Sequence, residues 1–271
     1  MRCVKMIMFY FSGTGNSKYL AESFCKKTKS KAYSIEQEAM TFEKGSSAEA
    51  LDFKTLVHEN KFIGFCYPIY GSRIPKIMRE FATSLKDELK GKKVILFATQ
   101  NFFSGDGARV FTDLFPAHHF EVVLAEHFLM PNNVSNLFFY PLASEKRLAK
   151  YRRDIQAEIN NICAELRRGI RRKRGFNPFS RLLGLTQGGV FPFIEKQAKD
   201  KVRILDSCNS CGLCVNICPA KNFIKEQDKI LPQGECFLCY RCINQCPKAA
   251  IIVMFPFKVR KQYTGMEYKK V

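Results

Sequence analysis

The sequence predicts an α/β chain in two parts: a doubly wound, five-stranded parallel sheet, followed by a small α+β module organised by cysteines. Three observations predict it. Apolar strand-like runs alternate with amphipathic stretches through the first 130 residues, the pattern of a parallel sheet with helices on both faces. A short turn rich in Gly, Ser and Thr leads from the first apolar run straight into a helical pattern. Eight of the twelve cysteines fall into two identically spaced groups 28 residues apart, a weak internal repeat.

The elements follow in order. Lys5 to Tyr10 reads as a buried strand, Ser17 to Lys27 as a helix and Ala32 to Ile35 as the second strand. Lys61 to Tyr67, Lys93 to Thr99 and Val122 to His127 supply three more strands, with helices at Ile74 to Lys86 and Ala108 to Phe115. Five strands suffice for a small doubly wound domain. Ser144 opens a long helix to about Ile170, with Leu148, Ile155, Ile159, Ile162 and Leu166 along one apolar face, and it closes the sheet. The basic run Arg167, Arg168, Arg171, Arg172, Lys173 and Arg174 is followed by Gly175, Pro178, Gly184, Gly188, Gly189 and Pro192, residues that break regular structure. The expected organisation is a first domain over 1–171, a linker over 172–200, a cysteine module over 201–256 and a basic, unassigned tail over 257–271.

Apolar residues make up 46% of the 271, and Phe occurs 25 times, enough for a real core. The longest apolar runs, Met6 to Phe11 and Ala249 to Phe257, fall short of the roughly 20 residues of a membrane span, so neither a transmembrane segment nor a secretory signal is expected. Twelve cysteines without an export signal point to the reducing cytoplasm, where such clusters bind metal more often than they form disulfides. A net charge of +19 points to nucleic acid, an anionic membrane or an acidic protein partner. Basic runs are usually solvated faces or docking sites for acidic partners, so redox proteins, acidic carriers among them, are the expected partners and nucleic acid is not. His58, His118, His119 and His127 show no metal spacing and read as ordinary surface or core residues. The sequence leaves the oligomeric state open.

Cys208, Cys211, Cys214 and Cys218-Pro219 form C-x2-C-x2-C-x3-C-P, and Cys236, Cys239, Cys242 and Cys246-Pro247 repeat it without change. Three thiolates from one tight loop reach three iron corners of a cubane, and the fourth cysteine serves the other cluster. Structural zinc is the alternative for paired C-x-x-C motifs. The doubled spacing resembles bacterial-type two-cluster ferredoxins over about 50 residues, which implies two 4Fe-4S clusters. One is held by Cys208, Cys211, Cys214 and Cys246, the other by Cys236, Cys239, Cys242 and Cys218. Tyr240 stands where that family often has Gly, and Asn222-Phe223 where it has a small-plus-aliphatic pair; these departures bear on cluster potential, not ligation. Cys3, Cys25, Cys66 and Cys163 lack such spacing and read as packing residues, with Cys66 at a strand end.

Ser12-Gly13-Thr14-Gly15-Asn16-Ser17-Lys18 joins the first strand to a helix N-terminus, which makes an anion site from the amides of Gly15, Asn16 and Ser17 and the hydroxyls of Ser12, Thr14 and Ser17. It is neither a P-loop nor a complete dinucleotide fingerprint. The run resembles the FMN phosphate loop of flavodoxins, over residues 1 to about 165, so the sheet is expected to be flavodoxin-like. The resemblance implies two ring-binding loops, at Pro68-Ile69-Tyr70-Gly71 and onward to Pro75, and from Thr99 through Asn101, Phe102 and Gly105 to Gly107. Tyr70 or Phe102 would lie on the ring; plain loop packing is the alternative for each. Arg73 is expected either near the flavin or in solvent, and Met130-Pro131-Asn132-Asn133 on the border of the site.

Together the halves resemble the EFR1-type family of flavodoxin-ferredoxin fusion proteins. The expected function is electron transfer between two 4Fe-4S clusters and a bound FMN, linking one-electron and two-electron partners, with no catalytic acid or base. The alternative is a flavin-dependent reductase of a small acceptor, a quinone or nitro compound, fed through the clusters.

Overall fold

The computed structural model describes residues 6–36, 52–103 and 105–266. Cys3, Lys5, Ser104 and the end of the tail, 267–271, lie outside the described residues. Among the described residues there are ten strands: β1 (Ile7–Tyr10), β2 (Lys31–Ser34), β3 (Phe62–Pro68), β4 (Lys93–Gln100), β5 (Glu121–Leu129), β6 (Arg172–Lys173), β7 (Val202–Ile204), β8 (Phe223–Glu226), β9 (Lys229–Pro232) and β10 (Ile251–Val253). The helices are α1 (Asn16–Thr28), α2 (Phe53–Glu59), α3 (Lys76–Ser84), α4 (Lys86–Leu89), α5 (Glu145–Arg168), α6 (Pro178–Asp200), α7 (Leu213–Ile217) and α8 (Arg241–Gln245), with a 3-10 turn at Arg109–Leu114 where the sequence predicted an α-helix.

The main sheet has the order β2-β1-β3-β4-β5-β6 and is parallel throughout. Its first five strands follow the 2-1-3-4-5 flavodoxin-like order, whose ligand crevice opens at the switch point between β1 and β3. Both faces are covered, which explains why β1, β3 and β4 read as continuous apolar runs. Phe9, Phe53, Phe65, Met78, Phe81 and Phe111 form the core under α2, α3 and the 3-10 turn. Leu20, Phe24, Phe97, Leu148, Ile155 and Ile159 form the core under α1 and α5.

The sheet has six strands, not the predicted five, and the physical reason is Glu126. This carboxylate on β5 is buried, and a buried charge must be paired. Arg172 bonds it at 2.7 Å and also reaches Glu158 and, at 2.6 Å, Glu165, while Arg174 bonds it at 2.9 Å and Arg171 pairs with Glu121 at 2.6 Å. Half of the basic run is therefore a sheet edge neutralised from within.

The stretch expected as a linker is also ordered: α6 fills 178–200. Asn177 caps it, accepting from Ser180 N at 2.8 Å, and Pro178 sits at the first helical position, where its missing N–H costs nothing. Pro192 cannot donate to Gly188 O four residues back; Arg73 Nε donates there instead, at 3.0 Å. Gly184 lets the helix approach Asp106, because a Cβ on it would lie 1.6 Å from Asp106 Oδ1. The breakers are thus compensated by tertiary contacts that local pattern does not display.

The C-terminal module pairs β7 with β10 and β8 with β9, both antiparallel. The described part of the tail, unassigned by sequence, packs back onto the first domain: Tyr263 and Met266 are buried in the core under α1 and α5. Tyr263 Oη donates to Asn16 Oδ1 at 2.6 Å, and Arg152 donates to Met266 O at 2.9 Å.

Candidate functional site

A pocket of about 250 Å³ opens beyond the C-terminal ends of β1, β3 and β4. It brings together Ser12, Thr14, Asn16 and Ser17 with Pro68, Tyr70, Gly71, Thr99 and Asn101. Gly15 sits just behind them at φ 95, in the left-handed region that Gly adopts at no steric cost, and starts α1. No side chain caps α1, so its first amides keep their affinity for an anion. The turn is held before any ligand arrives. Gly15 N donates to Ser12 Oγ at 3.1 Å, Asn133 Nδ2 to Thr14 Oγ1 at 2.8 Å, and the Ser17 and Thr99 hydroxyls share a hydrogen at 2.7 Å.

Two predicted ring-contact residues are not in the pocket. Phe102 is 70% exposed and stacks on Tyr140, ring centroids 5.0 Å apart. Gly105, at φ 57, receives α6, with Gly184 N 2.5 Å and Ser180 O 2.8 Å from where its Cβ would be. Arg73 lies outside the pocket; it is exposed, and its Nε completes α6 as described. Cys66 is fully buried under α1, its thiol donating to Ser17 O at 3.3 Å, and burial pushes its pKa well above the usual thiol range. Cys25 and Cys163 are likewise buried.

The two cysteine loops are near-copies. Ser210 and Leu238 take φ 53 and 63, and Gly212 and Tyr240 take φ 76 and 58. Asn222 N donates to Cys218 Sγ and Ala250 N to Cys246 Sγ, both at 3.3 Å; Ser210 N and Leu238 N donate to Cys208 and Cys236 Sγ at 3.4 and 3.5 Å. Such amides favour thiolate over thiol. Burial works against them: it pushes Cys214 and Cys236 up to about 11 and Cys239 up to about 12. Secondary contributions reveal who neighbours whom. Cys214 feels Cys208 and Cys246, whereas Cys236 and Cys239 feel Cys218. Cys218 thus stands near Cys236, Cys239 and Cys242, and Cys246 near Cys214, which is also near Cys242. Among the described residues no group of His, Cys, Asp or Glu is gathered as a single-ion metal site; cubane ligation asks for a different arrangement, one sulfur on each iron corner.

The second loop lies directly on the pocket. Leu238 and Tyr240 are part of its wall, and Cys239 O lies 2.3 Å from where a Gly13 Cβ would be. Tyr240 thus occupies a left-handed position that usually favours Gly, at a backbone cost of about 1 kcal/mol, and its side chain supplies pocket wall in return. Arg241 locks the contact. Its guanidinium, 16% exposed, donates to Ser12 O at 2.9 Å, Gly13 O at 3.2 Å and Ile217 O at 3.0 Å, pairs with both oxygens of Glu36 at 2.6 and 2.7 Å, and lies over the Phe11 ring. Cys211, in the first loop, is exposed.

Sequence reading missed Arg241, Leu238, Phe191 and Tyr263 as site residues. Nothing in their local spacing marks them, since each is defined by contact with residues from other parts of the chain. Asn133 was anticipated only as bordering the site.

A family model described as a 4Fe-4S binding domain matches residues 205–221 and 233–254. No curated protein matches the chain. Among solved structures, the chain is similar to a flavodoxin, WrbA-like protein from Agrobacterium tumefaciens, at 16% identity over 61% of this chain and 98% of that one, with a TM-score of 0.39. It is similar to a flavodoxin from Streptococcus pneumonia TIGR4 at 15% identity over 61% and 99%, TM-score 0.40, and to general stress protein 14 in complex with FMN from Treponema denticola at 12% identity over 60% and 98%, TM-score 0.41. The chain thus carries a 4Fe-4S binding domain behind a doubly wound parallel sheet of flavodoxin-like strand order.

Proposed function

We propose that this chain is an electron-transfer protein in which FMN occupies the pocket and two 4Fe-4S clusters occupy the cysteine loops. The observation that carries the reading is the seating of the Cys236–Cys242 loop on the turn at Gly13, with Leu238 and Tyr240 of that loop lining the pocket. When bound, the clusters supply one-electron steps and FMN one or two, so the combination links one-electron and two-electron partners.

The residues fit these groups. The uncapped start of α1 is an anion site for a phosphate. Tyr70 lines the pocket with its ring, while its hydroxyl is buried without a hydrogen-bond partner beside Cys239, Arg241 and Cys236 of the second cysteine loop. Leu238, Tyr240 and Phe191 exclude water along one wall. Arg241 fixes the distance between turn and loop. The neighbour pattern supports ligation by Cys208, Cys211, Cys214 and Cys246 at one cluster and by Cys236, Cys239, Cys242 and Cys218 at the other. The first cluster, beside exposed Cys211, is then the outward one and the second is the one nearest the pocket.

The finer reading follows. The chain is an EFR1-type fusion, located in the cytoplasm, that exchanges electrons with acidic carrier proteins. Fully loaded it would still carry about +13, which favours acidic partners. Anaerobic purification with iron, sulfide and flavin analysis tests it: about eight irons and one FMN per chain are expected, and zinc with no flavin overturns it. In stopped flow, fast exchange with carrier proteins is expected. Rapid turnover of a small quinone or nitro compound in their place would favour the reductase.

A further inference from the structure

Helix α6 buries one side and leaves the opposite side open. Ser180, Gly184, Gly188, Phe191 and Ala198 are buried, and at about 100° per residue they form one stripe facing the protein. Phe179, Leu182, Leu185, Val190 and Phe193, between 58% and 68% exposed, lie on the other side of the helix. A solvated helix carries charge there; this one carries two aromatic rings and three aliphatic side chains.

Other exposed rings lie near the helix. Gly105 packs against Ser180 O and Gly184 N, and Phe102 and Phe103 precede it, both exposed. Phe102 stacks on Tyr140, whose hydroxyl bonds Asn101; next in the chain to Tyr140 come exposed Phe139 and Phe138, and Phe138 meets the edge of Phe257 at 4.9 Å. Together the open face of α6 and these rings expose apolar side chains in a number that marks an interaction site. It borders the pocket, because Asn101 and Phe191 line the pocket while Phe102, Val190 and Phe193 beside them are exposed.

Charge identifies the occupant. Between Arg167 and Lys199 the chain has nine Lys or Arg and a single acidic residue, Glu195; Arg171, Arg172, Arg174 and Lys199 are paired with carboxylates from elsewhere in the chain. Arg167, Arg168, Arg181 and Lys196 are exposed, as are Lys258, Arg260 and Lys261 just after Phe257. An apolar face of Phe and Leu bordered by basic residues is the pattern of a helix lying in the interface of an anionic bilayer, its apolar side chains sunk about 5–10 Å into the headgroup boundary. Each cation near such a surface adds about 1 kcal/mol. No helix among the described residues is long and apolar enough to cross a membrane, so the contact is monotopic.

We propose that the open face of α6, with the Phe102–Phe103 and Phe138–Phe139 rings, docks on an anionic lipid bilayer. Resting on the electron-transfer reading, the docked chain holds its pocket against the membrane and its exposed Cys211 loop toward water.

Sedimentation of the anaerobically purified full chain with vesicles tests this, iron and flavin content being measured first so that failed docking is distinguished from failed cofactor binding. The chain is expected to sediment with phosphatidylglycerol-rich vesicles and to bind them roughly tenfold or more tightly than pure phosphatidylcholine, with the difference shrinking in high salt. The variant Phe179→Ser/Leu182→Ser/Phe193→Ser, with cofactor content unchanged, should lose roughly tenfold or more of that binding. The sequence has no Trp, so Leu185→Trp supplies a single reporter whose emission should shift to the blue on vesicles. The proposal is overturned if the chain stays in the supernatant, if neutral vesicles bind equally well, if the triple variant binds like the parent, or if ultracentrifugation shows a dimer that the triple variant abolishes.

Discussion

Gly13 and Cys239 touch backbone to backbone: the carbonyl oxygen of Cys239, a predicted cluster ligand, lies 2.3 Å from where a Gly13 Cβ would stand. Glycine at 13 is thus required by the neighbouring domain. Gly13→Ala forces the Cys236–Cys242 loop away from the turn, and overpacking of this kind costs about 1–3 kcal/mol. Thermal unfolding should show that loss, and stopped flow should show slower passage of electrons between cluster and flavin. Gly189→Ala, where nothing stands within 4 Å of the added carbon, is the control and should stabilise by about 0.5–1 kcal/mol through helix propensity.

Cys218 and Cys246 should behave in a crossed manner. Cys218→Ser is expected to damage the cluster of the second motif and Cys246→Ser that of the first, because each lies beside the other motif's thiols. Iron analysis should fall toward about four per chain in each variant. Electron paramagnetic resonance should show the surviving signal to differ between them; identical surviving signals would contradict the crossed assignment.

Arg241→Ala leaves Glu36 without its bidentate partner and strips donors from Ser12 O, Gly13 O and Ile217 O. Because the pair keeps some exposure, a loss near the lower end of the buried-pair range is expected, about 3 kcal/mol. Arg241→Lys should recover only part of it, since an ammonium cannot reproduce the planar fork. Anaerobic urea titration measures both, and a cycle with Glu36→Gln isolates the pair.

Tyr70→Phe separates stability from binding. The Tyr70 hydroxyl is buried without a partner in the cofactor-free chain, so removing it there should be neutral or mildly stabilising. In the loaded chain FMN affinity should change by less than about threefold, because the hydroxyl is buried against the Cys236–Cys239 loop and does not face the pocket. Flavin titration of the apoprotein reads the affinity. A loss of roughly tenfold would instead place the hydroxyl on the flavin.

His127 should make stability fall in mild acid. Burial, with Arg174 nearby, lowers its pKa to about 4, and its Nε2 accepts from Ala108 N at 3.0 Å. The depressed pKa favours the neutral form in the fold, so its stabilisation is complete above the unfolded value near 6.5 and is lost as pH falls from there toward 4. Between pH 7.5 and 5.5 the parent should lose roughly 1.3 kcal/mol more than His127→Gln, read from paired denaturation curves.

What the sequence determined alone is whatever short-range pattern encodes. β1, β3 and β4 were legible because strands buried on both faces are continuously apolar, the turn at Ser12 to Ser17 because strand, turn and helix are adjacent, and the cysteine loops because cluster ligation imposes a fixed spacing. Tertiary structure decided the rest. β6 exists because buried Glu126 requires Arg172 and Arg174, and α6 survives Pro192 because Arg73, more than a hundred residues earlier, takes up the freed carbonyl of Gly188. Residues 257–266 are held to the main sheet's domain because Tyr263 reaches Asn16 across 247 positions. Such contacts join residues whose separation in sequence carries no period, and their energies appear only when the fold has already brought the partners together. The closure of the pocket by Leu238 and Tyr240, on which the proposed electron path depends, belongs to that second kind.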